Sequence, residues 1–338
     1  MPEARGENAK GVGGGDAEEN GRRVHSSPTA CFGSALISSK IPPRCRGEAA
    51  AGADLDGGGE GGGGGGVILG IDEAGRGPVL GPMTYGAAYW SCADDKDVSA
   101  MGFDDSKALT PNQRTGLFDR IDATPQVGWV LRLISARELS DKMCRKVPYS
   151  LNVISHDAAA EIIRAVQARG VKVTQVYVDT VGDPGMYQAK LEKEFGKEVE
   201  FVVAKKADSL YKTVSAASII AKVTRDRIIE GWRWSEPNLD FSEDRSFGSG
   251  YPGDERCKKW LEANVDSVFG FPDICRFSWG TTKELLKGGA GKRVDWEEEP
   301  DEEAAGTKSI QSFMVQPKKK KARANLFVKR GLELVDTF

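Results

Sequence analysis

Val67-Ile68-Leu69-Gly70-Ile71-Asp72-Glu73-Ala74-Gly75-Arg76-Gly77-Pro78 is the stretch on which the reading of this chain turns. Its first five residues form a short apolar run with β-branched members, the pattern of a buried strand. The run ends on two adjacent acids and enters a turn with glycine at 75 and 77. Neither common phosphate-binding glycine motif fits. Gly70-x-x-x-x-Gly75 is followed by Arg76-Gly77 instead of Lys and Ser or Thr, and the spacing 70, 75, 77 is not G-x-G-x-x-G.

Upstream the texture is different. Residues 1–66 hold 18 of the chain's 41 glycines and show no sustained period of 2 or 3.6. Such a segment buries too little apolar surface to offset its ordering entropy and is expected to be disordered. Acids at 3, 7, 16, 18 and 19 do not suit a secretory or organellar leader.

Downstream, Met83 to Trp90 reads as a second strand, and Val127, Trp129, Leu131 and Leu133 alternate as a third. Val173 to Val178 and Val199 to Val203 are two more, separated by a helical stretch from near Pro184. Ser150 to Arg169 carries apolar residues three or four apart, which predicts an amphipathic helix. Thr213 to Trp234 is the longest helical pattern, with small residues at Ser215-Ala216-Ala217-Ser218 for close packing. Early strands followed by alternating helices and strands predict an α/β fold with a central mixed sheet flanked by helices. The folded domain is expected at 67–290, with an acidic then basic disordered tail over 291–338.

Composition sets wide bounds. The 338 residues carry a net charge of −3, which averages an acidic run at 297–303 against the basic block Lys318 to Lys321 with Arg323. No apolar run nears the ~18 residues of a membrane span, so a soluble chain with no membrane partner is expected. Six cysteines without a C-x-x-C pair or a nearby His indicate neither zinc nor a disulfide framework, and a reducing intracellular compartment is expected.

Acids that close strands carry the chemistry. Asp72 and Glu73 end the first strand, Asp179 ends Val173 to Val178, and Asp208 lies just ahead of the long helix. Any one of them could be a helix cap, since Asp is a favoured N-cap residue. Crowded together, buried carboxylates repel and titrate upward unless a cation neutralises them. An oxygen-only donor set suits Mg2+ or Mn2+. The glycine turn beside them offers backbone amides and a guanidinium, an arrangement suited to a phosphodiester met by metal.

A run of motifs then resembles a known family. Asp72 to Pro78, Asp105-Ser106-Lys107, Ser155-His156-Asp157, Tyr177 to Gly182, Lys206-Ala207-Asp208, Val214 to Ser218, Ala221-Lys222-Val223 with Arg225-Asp226, and Gly248 to Pro252 are similar, in this order, to type 2 ribonuclease H. Asp179-Thr180-Val181-Gly182 and Phe269-Gly270-Phe271-Pro272 resemble the catalytic subunit of the eukaryotic heterotrimer. The resemblance covers about 67–285.

It implies a ribonuclease H-like fold with a C-terminal helical extension, and a catalytic, metal-binding set of Asp72, Glu73, Asp179 and Asp208 holding two Mg2+ or Mn2+ ions. The implied activity is hydrolysis of the RNA strand of RNA/DNA hybrids and nicking of duplex DNA 5' of single embedded ribonucleotides, leaving 3'-hydroxyl and 5'-phosphate ends. Such activity serves primer removal and ribonucleotide removal in DNA replication and repair. Substrate contacts are implied for Gly75, Arg76 and Gly77 at the ribose 2'-hydroxyl, for Tyr251 on the adjacent deoxyribose, and for Lys107, Asn152 and Arg225 at the backbone. Lys205, Lys206 and Lys222 are weaker phosphate candidates, and His156 is expected to be structural. Lys212 departs from the family pattern, which has proline there. The partners implied are two accessory subunits. The alternative is a non-catalytic nucleic-acid-binding subunit of the same complex, which should have lost at least one of the four acids.

Two features lie in the tail. Thr307-x-x-Ile310-x-x-Phe313-Met314 resembles a degenerate sliding-clamp-binding peptide. The Lys318 to Arg323 block has the composition of a nuclear import signal, so a nuclear location is expected. Fused to a fluorescent reporter, residues 306–338 should concentrate it in nuclei, and replacing Lys318 to Lys321 with alanine should leave it cytoplasmic. A tail that fails to concentrate the reporter would contradict this.

Overall fold

The computed structural model describes residues 33–46, 66–103, 109–236 and 247–291. Six strands form one mixed sheet: β1 (Ala35–Ser38), β2 (Val67–Ala74), β3 (Met83–Ser91), β4 (Gly128–Ile134), β5 (Val173–Asp179) and β6 (Glu200–Ala204). Their order is β1-β4-β3-β2-β5-β6. The β1, β4, β3 and β2 neighbours pair antiparallel, and β5 and β6 add parallel to β2. All five strands expected from the sequence are present.

Nine α-helices are found among the described residues. Around the first part of the sheet are α1 (Asp95–Ser99), α2 (Pro111–Ala123) and α3 (Ala136–Met143), then α4 (Leu151–Ala168) and α5 (Pro184–Phe195). A short α6 (Ala207–Leu210) leads into the long α7 (Lys212–Glu230), and α8 (Glu255–Ala263) and α9 (Gly280–Leu285) follow. Caps fix the entries. Ser150 accepts a hydrogen bond from Val153 N at the start of α4, and Asp183 accepts one from Met186 N ahead of α5 with Pro184 at its first position.

The sheet buries both faces. On one, Leu69, Ile71, Tyr85, Val176 and Val178 pack with Ile154, Ile162 and Val166 of α4 and with Tyr187 and Leu191 of α5. On the other, Ala88, Trp90 and Leu131 meet Phe118 and Ile121 of α2 and Ala216, Ile219, Ile220 and Val223 of α7. Beyond this, Val79, Leu80, Leu133 and Ile228 pack with Trp260 and Leu261 of α8, Ile274 and Cys275. This is the C-terminal helical extension.

The domain boundary at Val67 requires a correction. Residues 33–46 belong to the fold, although they lie in the segment expected to be disordered. β1 pairs with β4 from Ala35↔Leu133 to Ser38↔Val130. Ser39 exchanges hydrogen bonds with Trp129, Arg169 donates to Ser39 O at 2.6 Å, and Cys45 is buried in the main core. A four-residue edge strand shows too little alternation to stand out, and its stability comes from β4's open edge rather than from its own composition. The rest of 1–66 and the tail beyond residue 291 lie outside the described residues. Starting the chain at residue 47 is therefore expected to lower the melting temperature by roughly 4–8 °C, the scale of about 2 kcal/mol in a domain of this size. An unchanged melting curve would contradict this.

Candidate active site

β2 and β5 run parallel in register through Ile71↔Val178, so Asp72 and Asp179 end side by side. Alternation along β2 sends Asp72 toward α7 and Glu73 toward α4 and α5. At the strand ends the three converge: one carboxylate oxygen from each of Asp72, Glu73 and Asp179 lies within 4.8 Å of the others. Glu73 N donates to Asp72 Oδ1 at 2.7 Å, and Ser218 of α7 hydrogen-bonds the same carboxylate. Asp179 Oδ1 accepts from Ala207 N at 3.0 Å, which ties β5 to α6.

Burial above all, then repulsion from Glu73 and Asp179, holds the Asp72 carboxyl well above the usual carboxylate range. A cation among the three would reverse that penalty. With only carboxylate oxygens converging, the donors fit a hard divalent ion such as Mg2+ or Mn2+.

The fourth expected acid comes from a different element. Asp208 is buried on α6, accepts a hydrogen bond from Ser209 N at 3.0 Å, and is not among the three converging carboxylates. It directly follows Ala207, whose amide Asp179 accepts. Lys206, just before, adopts φ 56°, the one positive φ at a non-glycine residue among those described. Backbone strain of this kind collects at functional sites.

The glycine turn is held from within by two buried arginines. Arg276, fully buried, donates to Gly75 O at 2.6 Å, Arg76 O at 3.1 Å and Gly81 O at 2.8 Å. Arg225 donates to Leu80 O at 3.0 Å and Pro82 O at 3.1 Å. Gly75 has φ 79°, and a Cβ there would lie 2.0 Å from Arg225 Nε, so no other residue fits. Arg225 was expected to grip phosphate, and this needs correction. Its guanidinium is buried and donates to loop carbonyls. Sequence reasoning missed Arg276. Nothing in the short Phe271-Pro272-Asp273-Ile274-Cys275 stretch before it marked that arginine as buried.

The remaining contacts fall near the turn. Arg76 donates to both Ser155 Oγ and Asn152 Oδ1 on α4, so the expected substrate residues Arg76 and Asn152 form one unit. Tyr251 is 50% exposed, and a Cβ on Gly77 would come within 3.0 Å of its ring. A ring this exposed is not a core side chain. His156 stacks on Tyr187 at 3.8 Å between centroids, consistent with its expected structural role. Lys222 pairs with Asp226 at 2.6 Å, and Lys212, at the first position of α7, donates to Phe103 O at 2.9 Å. Lys107 lies outside the described residues.

The sequence profile described as Ribonuclease HII matches residues 69–282. The chain belongs to the ribonuclease HII family. It is 47% identical to a ribonuclease H2 subunit of Arabidopsis thaliana over 72% of this chain and 80% of that protein. Against the corresponding ribonuclease H2 subunit of Homo sapiens it is 40% identical over 89% of this chain and 95% of the other. The solved ribonuclease H2 of Pyrococcus horikoshii OT3 superposes with a TM-score of 0.55 at 33% identity, covering 66% of this chain and 98% of that one. Ribonuclease HII of Archaeoglobus fulgidus, solved in a complex with PCNA, gives 0.53 at 30% identity, over 64% of this chain and 96% of that one. The fold is the ribonuclease H-like one expected, and the protein is a ribonuclease H.

Family membership makes the carboxylates testable. Because folding raises the Asp72 pKa, the metal-free protein loses stability as pH climbs from the ordinary carboxylate range, about 4, through the raised value. Asp72→Asn is expected to melt higher than wild type in EDTA at pH 8, with the difference shrinking toward pH 4. Added Mg2+ should raise the melting temperature of wild type and not of the variant. The opposite order in EDTA would contradict the buried, repelled carboxylate.

Proposed function

We propose that this ribonuclease H is a metal-dependent endonuclease that hydrolyses the RNA strand of RNA/DNA hybrids and nicks duplex DNA 5' of single embedded ribonucleotides. The products are a 3'-hydroxyl and a 5'-phosphate. The observation that carries this reading is the placement of the Gly75-Arg76-Gly77 turn, with the half-exposed Tyr251 ring against Gly77, on the same stretch of chain as Asp72 and Glu73.

Each part has a role. Two Mg2+ or Mn2+ ions held by Asp72, Glu73 and Asp179, with Asp208 as the additional ligand, would supply an activated water and stabilise the leaving oxygen. Gly75 and Gly77 let backbone approach the minor groove, where the 2'-hydroxyl distinguishes RNA from DNA. Arg225 and Arg276 keep that backbone in one conformation by occupying its carbonyls. Arg76 and Asn152, bonded to each other, present a polar edge beside the turn. The Tyr251 ring stacks on the deoxyribose after the ribonucleotide, and Lys107 contributes a salt-dependent phosphate contact.

Assembly and location follow from the same reading. The relatives' designation as subunits of ribonuclease H2 supports a place in a complex with two accessory subunits. The complex of the Archaeoglobus protein with PCNA supports a sliding clamp as a further partner, through the Thr307 to Met314 peptide, which lies outside the described residues. The basic block supports action in the nucleus, in RNA primer removal and ribonucleotide removal from DNA. Retention of all four acids speaks against a non-catalytic subunit.

The direct test is cleavage of a duplex carrying one embedded ribonucleotide, with Mg2+ and with EDTA, by the chain alone and with its accessory subunits. Mg2+-dependent nicking 5' of the ribonucleotide is expected, and its absence in both preparations would overturn the proposal. Tyr251→Ala should lose at least about tenfold more kcat/KM on the single ribonucleotide than on a continuous hybrid, the scale of one lost stacking contact. Equal losses on both substrates would contradict the role of the ring.

A further inference from the structure

Thr180, Val181 and Gly182 join the end of β5 at Asp179 to the Asp183 cap of α5. Thr180 N donates to Ala204 O at 3.0 Å, which ties the start of this connection to β6. Its middle is tied to α4. His156 Nε2 lies 3.4 Å from Val181 O, and Val181 is buried in the main core. One residue on, Gly182 has φ 86°, and a Cβ there would lie 3.2 Å from Asn152 Nδ2. The same turns of α4 hold the glycine turn, through the bonds from Arg76 to Asn152 and Ser155. The two connections that leave the carboxylate cluster, one beyond Glu73 and one beyond Asp179, thus rest on one helix end.

The imidazole is set for this contact. It stacks on the Tyr187 ring of α5, with centroids 3.8 Å and planes 14° apart, and the stack fixes its plane. Asp157, next along α4, pairs with Lys190 of α5 at 3.1 Å, which holds the two helices together at the same level. Burial above all lowers the His156 pKa, the Val181 contact opposing it in part, so the ring is neutral in mildly alkaline solution. A neutral imidazole carries one N–H, and a carbonyl only accepts, so the proton belongs on Nε2.

We propose that His156, held as the Nε2–H tautomer, is a positioning residue: by donating to Val181 O it fixes the connection after Asp179 and so aims that carboxylate into the metal centre. Asp179 is the last residue of its strand, so its direction depends on the peptides that follow it as well as on the sheet. Ala207 N holds one of its oxygens from α6, and His156 holds the backbone beyond it from α4. Groups that orient a metal ligand without touching the metal commonly govern affinity in this way. The proposal rests on the metal-dependent reading of this site and gives the stacked histidine a part in it.

The test compares His156→Phe, which keeps a ring on Tyr187 and removes the N–H, with His156→Gln, whose side-chain amide restores a donor near the Nε2 position, both in the full chain. Mn2+ binding is measured by calorimetry beside melting curves, and imidazole nitrogen NMR of the metal-free wild type at about pH 8 reads the tautomer. His156→Phe is expected to bind Mn2+ about tenfold more weakly, the scale found when groups supporting a metal ligand are removed. His156→Gln should recover most of that affinity, and the wild-type spectrum should place the proton on Nε2. A proton on Nδ1 would overturn this proposal alone. So would equal Mn2+ affinity in wild type and His156→Phe, whatever the change in melting, or a His156→Gln variant that binds no better than His156→Phe. A wild type that binds no Mn2+ would overturn the metal-centre reading and this proposal with it. If His156→Phe fails to fold, His156→Asn, whose shorter amide stops short of the Nε2 position, carries the same readout with the same expected loss.

Discussion

The active site depends on how closely helix α7 can approach the sheet. A Cβ on Gly70 would lie 2.2 Å from the Thr213 carbonyl carbon, and one on Gly86 would lie 2.4 Å from Ala217 O. Gly86 is the cross-strand partner of Asp72. The two glycines clear a patch on β2 and β3 against which the helix lays its own backbone, with Ala216, Ala217 and Ala221 as small neighbours. That contact brings Ser218 to the Asp72 carboxylate, and it fixes α6, at the foot of the helix, where Ala207 can donate to Asp179. Forcing a methyl group into so tight a contact typically costs about 1–3 kcal/mol, and here it would also shift the residues that hold the acids.

Buried charge of each sign is handled differently on the two sides of the glycine turn. Asp72, Glu73 and Asp179 crowd their carboxylates together, a penalty of burial and mutual repulsion that a divalent ion would offset. Arg225 and Arg276 lose hydration as well, but their donors are absorbed by the carbonyls of Gly75, Arg76, Leu80, Gly81 and Pro82. Removing one member of a buried, hydrogen-bonded charge set is costly because its partners are left unpaired. The turn is therefore rigid for the same reason that it can sit against a substrate: its carbonyls are used inside, and its glycines are open outside.

Much of this was legible because the signals were local. Apolar runs and alternation marked strands β2 to β6, and the strand-ending positions of Asp72, Glu73 and Asp179 marked the carboxylates. Residues whose roles depend on distant partners were harder to read. Arg225 and a surface phosphate-binding arginine look alike in sequence, and only the approach of Leu80 and Pro82 carbonyls from about 145 positions away distinguishes them. Arg276 lies some 200 positions from the turn it braces. β1 was hidden because four residues in a glycine-rich flank carry little pattern, while the edge of β4 that stabilises them is far along the chain. Asp208 was grouped with the other acids by motif, whereas its place on α6 sets it beside the group.

The central claim is that Asp72, Glu73 and Asp179 form one divalent-cation centre rather than three separate structural acids. Anomalous diffraction from crystals grown with Mn2+ tests it most directly. A strong peak is expected within coordination distance of a carboxylate oxygen from all three residues, lost in Asp72→Asn crystals grown identically. An anomalous map with no peak among the three at saturating Mn2+, or a peak that persists unchanged in the variant, would contradict it.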